Sequence, residues 1–259
     1  MTDSNDRGRF VWYDLMTPDP KAAVAFYTQA LGWTTETWDT SGSPYTMWHT
    51  SQGNMGGVME LPEPARKMGA PPHWMGYVAV PSVDATVAVA RSLGGNVYVQ
   101  PMDIPNVGRF AVIADPQGAS IAVFQSSDPM RAHDRSKSGE FNWHELIADD
   151  AAVALAFYRE LFGWEPLGDF DMGPMGTYRL FGRNGVQMGG MFSKTADMPM
   201  PACWLYYVFV TDLDGTIARC KAAGGRLLMG PQDIPGGGRI AQLADPQGAT
   251  FALVTGPTA

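Results

Sequence analysis

The sequence predicts an α+β protein of four strand–helix–strand–strand–strand units, two in each half of the chain. Three observations predict it. "FVWYDLMTPDPKAAVAFYTQALGW" at Phe10–Trp33 recurs as "FNWHELIADDAAVALAFYRELFGW" at Phe141–Trp164, an offset of 131. "ADPQGA" stands at Ala114–Ala119 and again at Ala244–Ala249, an offset of 130. So long and steady a period means a duplicated domain. Within each half, the alternation, helical spacing and turn residues then run through twice.

The elements follow in order. "RFVWYDL" reads as a strand. Asp19-Pro20 supplies a helix cap with proline at the first helical position. Val24, Tyr27, Ala30 and Leu31 recur at helical spacing, and Gly32 ends that helix. Strands are predicted around Thr34–Asp39, Tyr45–Thr50 and Gly57–Leu61. "PEPARKMGAPP" connects them to the strand "WMGYVAV". Val87, Ala90 and Arg91 mark a second helix that Gly94-Gly95 closes. "NVYVQ", "RFAVIA" and "ASIAVF" give three more strands. Asp115-Pro116-Gln117-Gly118 carries the residue set of a type I turn, so the repeated hexapeptide reads as architecture. The polar stretch Ser126–Gly139 is the joint. The expected domains are residues 8–126 and 140–256, with a linker at 127–139.

Composition bounds the partners. The chain has 259 residues, 45% hydrophobic and 17% charged, as in an ordinary globular protein. It sets 26 acidic against 18 basic side chains, a net charge of -8, which argues against nucleic acid and anionic membranes. The polar "MTDSNDRGRF" is no secretory signal, and no run of apolar residues is long enough to span a bilayer. Cys203 and Cys220 are expected as buried, reduced thiols. A cytoplasmic protein acting on a small molecule is the expectation.

Paired βαβββ units, "FY…LGW" on the first helix and "DPQG" before the last strand resemble the vicinal oxygen chelate superfamily. That group includes glyoxalase I, extradiol dioxygenases, fosfomycin-resistance proteins and bleomycin-binding proteins. "DIP" followed by "GR" in each half is similar to tandem bacterial glyoxalase-like proteins. The resemblance implies two half-open barrels, each holding a small molecule in its concavity, often over a divalent metal. It places metal ligands on the first and last strands of each unit. Those slots fall here on Trp12, Met75, Trp143 and Leu205, on Ala122 and Ala252, and near Glu60 and Ser193. Indole, thioether and aliphatic groups do not hold such cations, so no metal and no other cofactor is expected. Of the histidines, His133 is expected in solvent, His73 and His144 in structural roles, and His49 in the cavity as a candidate acid–base group.

Strand parity puts Trp12 with Asp14, and Trp143 with Glu145, on the concave side. A carboxyl group desolvated beside an indole suits proton transfer, which makes Asp14 and Glu145 the candidate catalytic residues. The alternative is structural pairing with Arg109 and Arg239, which could also clamp a ligand. Tyr45, Tyr178, His49, Met75 and the two tryptophans complete the expected ligand-binding set. Two functions stay open: a glyoxalase-like enzyme of lyase or isomerase type using side-chain acid–base chemistry, and a protein that sequesters its ligand. The internal duplication favours a monomer.

Overall fold

The computed structural model describes residues 6–38 and 45–256. Two open eight-stranded sheets carry the four units. In the first half these are β1 (Phe10–Thr17), α1 (Pro20–Leu31), β2 (Thr34–Trp38), β3 (Tyr45–Thr50) and β4 (Gly53–Glu60). A short helix, α2 (Glu63–Lys67), lies in the connection where the sequence suggested none. There follow β5 (His73–Ala79), α3 (Val83–Ser92), β6 (Asn96–Ile104), β7 (Gly108–Ala114) and β8 (Ser120–Ser126). Asp39, the expected end of β2, lies outside the described residues.

The second half repeats the series. It runs β9 (Phe141–Ala148), α4 (Ala151–Phe162), β10 (Glu165–Asp171), β11 (Thr177–Arg183) and β12 (Val186–Ser193), then β13 (Cys203–Phe209), α5 (Leu213–Ala222), β14 (Arg226–Asp233), β15 (Arg239–Ala244) and β16 (Thr250–Val254). The strand orders are β2-β3-β4-β1-β5-β8-β7-β6 and β10-β11-β12-β9-β13-β16-β15-β14. In each sheet the first strands of the two units pair antiparallel at the centre. Among the described residues, no helix is long and apolar enough to cross a membrane.

Local chemistry sets the helix ends. Asp19 accepts from the amide of Ala22, Pro20 opens α1, and Gly32 closes it in the left-handed region at φ 74°. Asp150 and Gly163 do the same for α4.

Each sheet has two apolar faces. On the helix side a single cluster runs through both halves, from Tyr27, Trp33, Trp48 and Trp74 to Tyr158, Trp164, Trp204 and Phe251. The opposite, concave faces carry separate clusters. One holds Met16, Leu61, Met75, Tyr77, Val112, Ala122 and Phe124, and the other Leu205, Tyr207, Ala252 and Val254.

The repeated motifs prove to be where the halves grip each other. Trp33, ending "LGW", donates to the carbonyl of Gly139 at 2.9 Å, while Trp164 donates to the carbonyl of Gly8 at 2.7 Å. Each glycine precedes the first strand of the opposite half. Asp115 of the first "DPQG" accepts the amides of Gln117 and Ala119 on Oδ1, as a turn requires. Its Oδ2 accepts the hydroxyl of Tyr158 from α4 at 3.2 Å, and Asp245 likewise accepts Tyr27 from α1 at 3.3 Å. The hexapeptide is architecture, as expected, and it also docks one half on the other.

Cys220 is buried as expected, but Cys203 at the start of β13 is only half-buried; both thiols are free.

Candidate functional site

Successive residues of a strand point to opposite faces. On β1 this sends Tyr13 and Leu15 to the helix side and Trp12 and Asp14 into the concavity. Asp14 is 4% exposed. Its Oδ1 accepts the Trp12 indole N–H at 3.1 Å and a short hydrogen bond from the Tyr45 hydroxyl. Its Oδ2 accepts Tyr77 at 2.7 Å. The indole N–H of Trp12 also reaches the Tyr45 oxygen at 2.8 Å.

The second half builds the same group at matching positions. Tyr178 and Tyr207 each donate to Glu145 at 2.9 Å, and the Trp143 indole donates to the Tyr178 oxygen at 2.8 Å. Asp14 and Glu145 are buried, whereas Trp12, Tyr45, Trp143 and Tyr178 are half-buried. Burial pushes both carboxyl groups above the usual carboxylate range, and the tyrosine hydrogen bonds pull in the other direction. Burial, then the neighbouring carboxylate, raises all four tyrosine hydroxyls well above their ordinary value.

Glycines seat the tyrosines. A Cβ at Gly57 would lie 2.1 Å from the Tyr45 oxygen, and one at Gly190 would lie 2.0 Å from the Tyr178 ring. Gly56 and Gly189 instead let the β1 and β9 backbones approach closely. Gly57 and Gly190 are therefore part of the site, since each leaves room for a tyrosine ring.

The arginines are a correction. Arg109 bonds Asp84 and Asp103, both at 2.8 Å, and Arg239 bonds Asp214 at 2.7 Å. Arg109 shares the parity of Ala111 and Ile113, and Arg239 that of Ala241 and Leu243, which lie on the helix side. No arginine meets Asp14 or Glu145 among the described residues; tyrosines take that place. Sequence reasoning missed Tyr77 and Tyr207. They lie two residues beyond Met75 and Leu205, with the same parity and at matching positions, and that signal was available.

His49 stays apart from the polar group. It lies four residues along β3 from Tyr45, roughly 13 Å at strand rise, and its Nε2 is 3.2 Å from Glu36 without hydrogen-bond alignment. His73 turns to the carbonyl of Pro71 at 2.7 Å. His144 is buried on the helix side, as expected. His133 departs from expectation: it is half-buried, with Nδ1 2.8 Å from Glu140.

The donors that a divalent cation requires do not converge. Trp12, Met75 and Ala122 face the first concavity, together with Met59 rather than Glu60, which is exposed. In the second, Trp143, Leu205 and Ala252 are joined by Phe192, while Ser193 turns away to accept the amide of Ala151 at the start of α4. Among the described residues, no three of His, Cys, Asp or Glu lie close enough to share an ion. The side chains present do not fit the metal that the resemblance implies.

Comparison with known proteins agrees with this architecture. The chain is 34% identical over 248 residues to "Putative glyoxylase CFP32" of Mycobacterium tuberculosis, covering 94% of this chain and 93% of that one. It is 32% identical over 260 residues to "Anthracycline biosynthesis protein DauV" of Streptomyces sp., covering 95% and 93%. Among solved structures, the Mn(II)-bound glyoxalase from Novosphingobium aromaticivorans superposes with a TM-score of 0.61 at 17% identity, over 96% of this chain and 82% of that one. Homoprotocatechuate 2,3-dioxygenase from Arthrobacter globiformis does so with a TM-score of 0.67 at 14% identity, over 98% and 81%. The model of the Glyoxalase/Bleomycin resistance protein/Dioxygenase superfamily matches residues 9–123 and 140–253. With both halves matched and relatives aligned over more than nine-tenths of either chain, the chain belongs to that superfamily.

Proposed function

We propose that each half binds a small, mainly apolar molecule with a carbonyl or phenol edge, and moves a proton on it without a metal. One observation carries the reading: a buried carboxyl group held by two tyrosines, one of them bonded by a tryptophan, occurs twice at matching positions in otherwise apolar concavities. Tyr45 and Tyr178 border the open space and contact the ligand oxygen. Asp14 and Glu145 lie behind them and exchange a proton through the hydroxyl. A buried acid with a raised pKa beside a tyrosine is a known means of stabilising an enolate. The chain is 32% identical to a protein named for anthracycline biosynthesis, and a fused-ring aromatic ketone or phenol is the ligand class that suits the lining. The duplicated halves already cover each other, so the working unit is taken as one chain.

One observation favours sequestration instead. Both oxygens of Asp14 are already engaged and the residue is 4% exposed, as in a structural buttress. The two readings separate in one experiment. The full chain is offered a hydroxyanthraquinone in equilibrium dialysis, and a cyclic enolisable ketone in D2O with exchange followed by NMR. Binding with exchange that falls by about 10²–10⁴-fold in Asp14→Asn/Glu145→Gln supports proton transfer. Binding with no exchange above the buffer rate supports sequestration. Absence of binding overturns both.

A further inference from the structure

The two concavities are alike around their carboxyl groups and differ one step beyond them. In the second half a single row crosses four strands: Trp143 of β9 pairs with Tyr207 of β13, Tyr207 with Ala252 of β16, and Ala252 with Gln242 of β15. The first half carries the same row as Trp12, Tyr77, Ala122 and Val112. All of these side chains lie on the concave faces, Gln242 by the parity it shares with Ile240. Three of the four places match. The fourth holds an amide in one half and an isopropyl group in the other.

Only the methyl group of Ala252 stands between Gln242 and Tyr207 in the row. Burial and the Glu145 carboxylate raise the Tyr207 hydroxyl, and a hydrogen bond from the Gln242 side chain opposes them. A polar line therefore runs from Tyr178 through Glu145 and Tyr207 to Gln242. In the first half the line from Tyr45 through Asp14 to Tyr77 stops against Val112. An amide has two donors and an acceptor oxygen, and one tyrosine oxygen takes up a single donor. Gln242 is half-buried, whereas Val112 is 6% exposed. The neighbours differ in the same sense. Phe110 and Phe124 stand beside Val112 where Ile240 and Val254 stand beside Gln242, and Met130 of the linker packs on the first cluster as well. The first hollow is more filled at this end and apolar; the second has smaller side chains around an amide.

We propose that Gln242 is a specificity-determining residue: the second concavity selects a ligand with oxygens on two edges, one meeting Tyr178 and the other Gln242, and the first selects a ligand whose far edge is apolar. The inference rests on the ligand-binding reading above and divides it between the halves. An apolar edge laid on Gln242 covers an amide without giving it a partner, and a hydroxyl laid on Val112 loses water and gains no bond. One chain thus offers two selectivities from one fold.

The test uses two compounds of one shape, 2-naphthol with a hydroxyl at one end and 2,6-dihydroxynaphthalene with a hydroxyl at each end. Both are dialysed against the parent chain and against two full-length variants. Gly57→Ala displaces Tyr45 and leaves the second concavity to be read; Gly190→Ala displaces Tyr178 and leaves the first. The ratio of diol affinity to naphthol affinity should be higher in the second concavity by about tenfold or more. Adding Gln242→Leu, of similar size, should lower that ratio by about tenfold, and Val112→Gln should raise the ratio of the first. The far-UV spectrum checks each fold, and Gln242→Val, the first half's own residue, replaces a leucine variant that does not fold. Equal ratios in the two concavities, or a ratio that survives loss of the amide, overturn the assignment and leave the ligand-binding reading standing. Binding of neither compound to the parent chain overturns both.

Discussion

The hydroxyl of Tyr13 donates to Nε2 of His144 across 2.7 Å, and the two residues hold the same place in the two halves. Equivalent positions meet in this way only beside the axis that relates the repeats. Nδ1 of His144 faces the carbonyl of Met188 at 2.7 Å, so Nδ1 carries the proton and Nε2 accepts. Two tyrosines could share a hydrogen bond there too, but only the imidazole also reaches Met188. Tyr13→Phe strands a buried acceptor. A loss of about 1–3 kcal/mol is expected from the urea midpoint at unchanged slope; no shift would show that the pair contributes nothing.

The same histidine makes stability depend on pH. Burial holds His144 down to about 3, from an ordinary value of 6.5. The unfolded chain takes up a proton near the ordinary value, while the folded chain refuses it. The contribution is therefore whole above pH 6.5 and drains away as pH falls toward 3. His144→Gln should flatten the stability profile across that window, measured as urea midpoints at successive pH values. An unaltered slope would locate the acid sensitivity elsewhere.

Asp14 carries the opposite sign. Its raised pKa means that the folded chain binds the proton more tightly than the unfolded one. That contribution is present below the ordinary carboxylate range and lost as pH rises through the raised value. Asp14→Asn does not titrate, so its Tm relative to the parent should increase with pH. A difference that stays level from acid to neutral pH would mean that Tyr45, Tyr77 and Trp12 fully offset the burial.

Gly57→Ala offers a change that leaves the carboxyl and tyrosines in the sequence yet separates them. The new methyl group would occupy the place of the Tyr45 ring, which must swing out. Ligand binding and proton exchange in the first half should fall by about tenfold or more, with the cost to folding confined to a few kcal/mol. The far-UV spectrum checks the fold and dialysis checks the binding. Unchanged binding would mean that Tyr45 does not touch the ligand.

The fold was legible because its signals are local and doubled. Asp19-Pro20, Gly32 and the "DPQG" turns each satisfy backbone groups within a few residues, so sequence neighbours suffice to read them. Half of the site was legible through strand parity, which placed Trp12, Asp14, Trp143 and Glu145 correctly on one face. The partners were harder, since a carboxylate can be satisfied by a cation or by hydroxyls, and sequence does not rank them. Parity alone would have sent Arg109 to the helix side and brought Tyr77 in.

Each tryptophan that closes a first helix rests on the glycine that opens the opposite sheet. The covalent joint is thus a tether rather than a clasp. A protease site placed in the exposed stretch Ser127–Asp128, once cut, would yield two fragments that migrate as one particle until denaturant is added. The tether's role would be to keep the partners at high local concentration and to forbid exchange with a neighbour, which a freely assembling pair of single repeats cannot do.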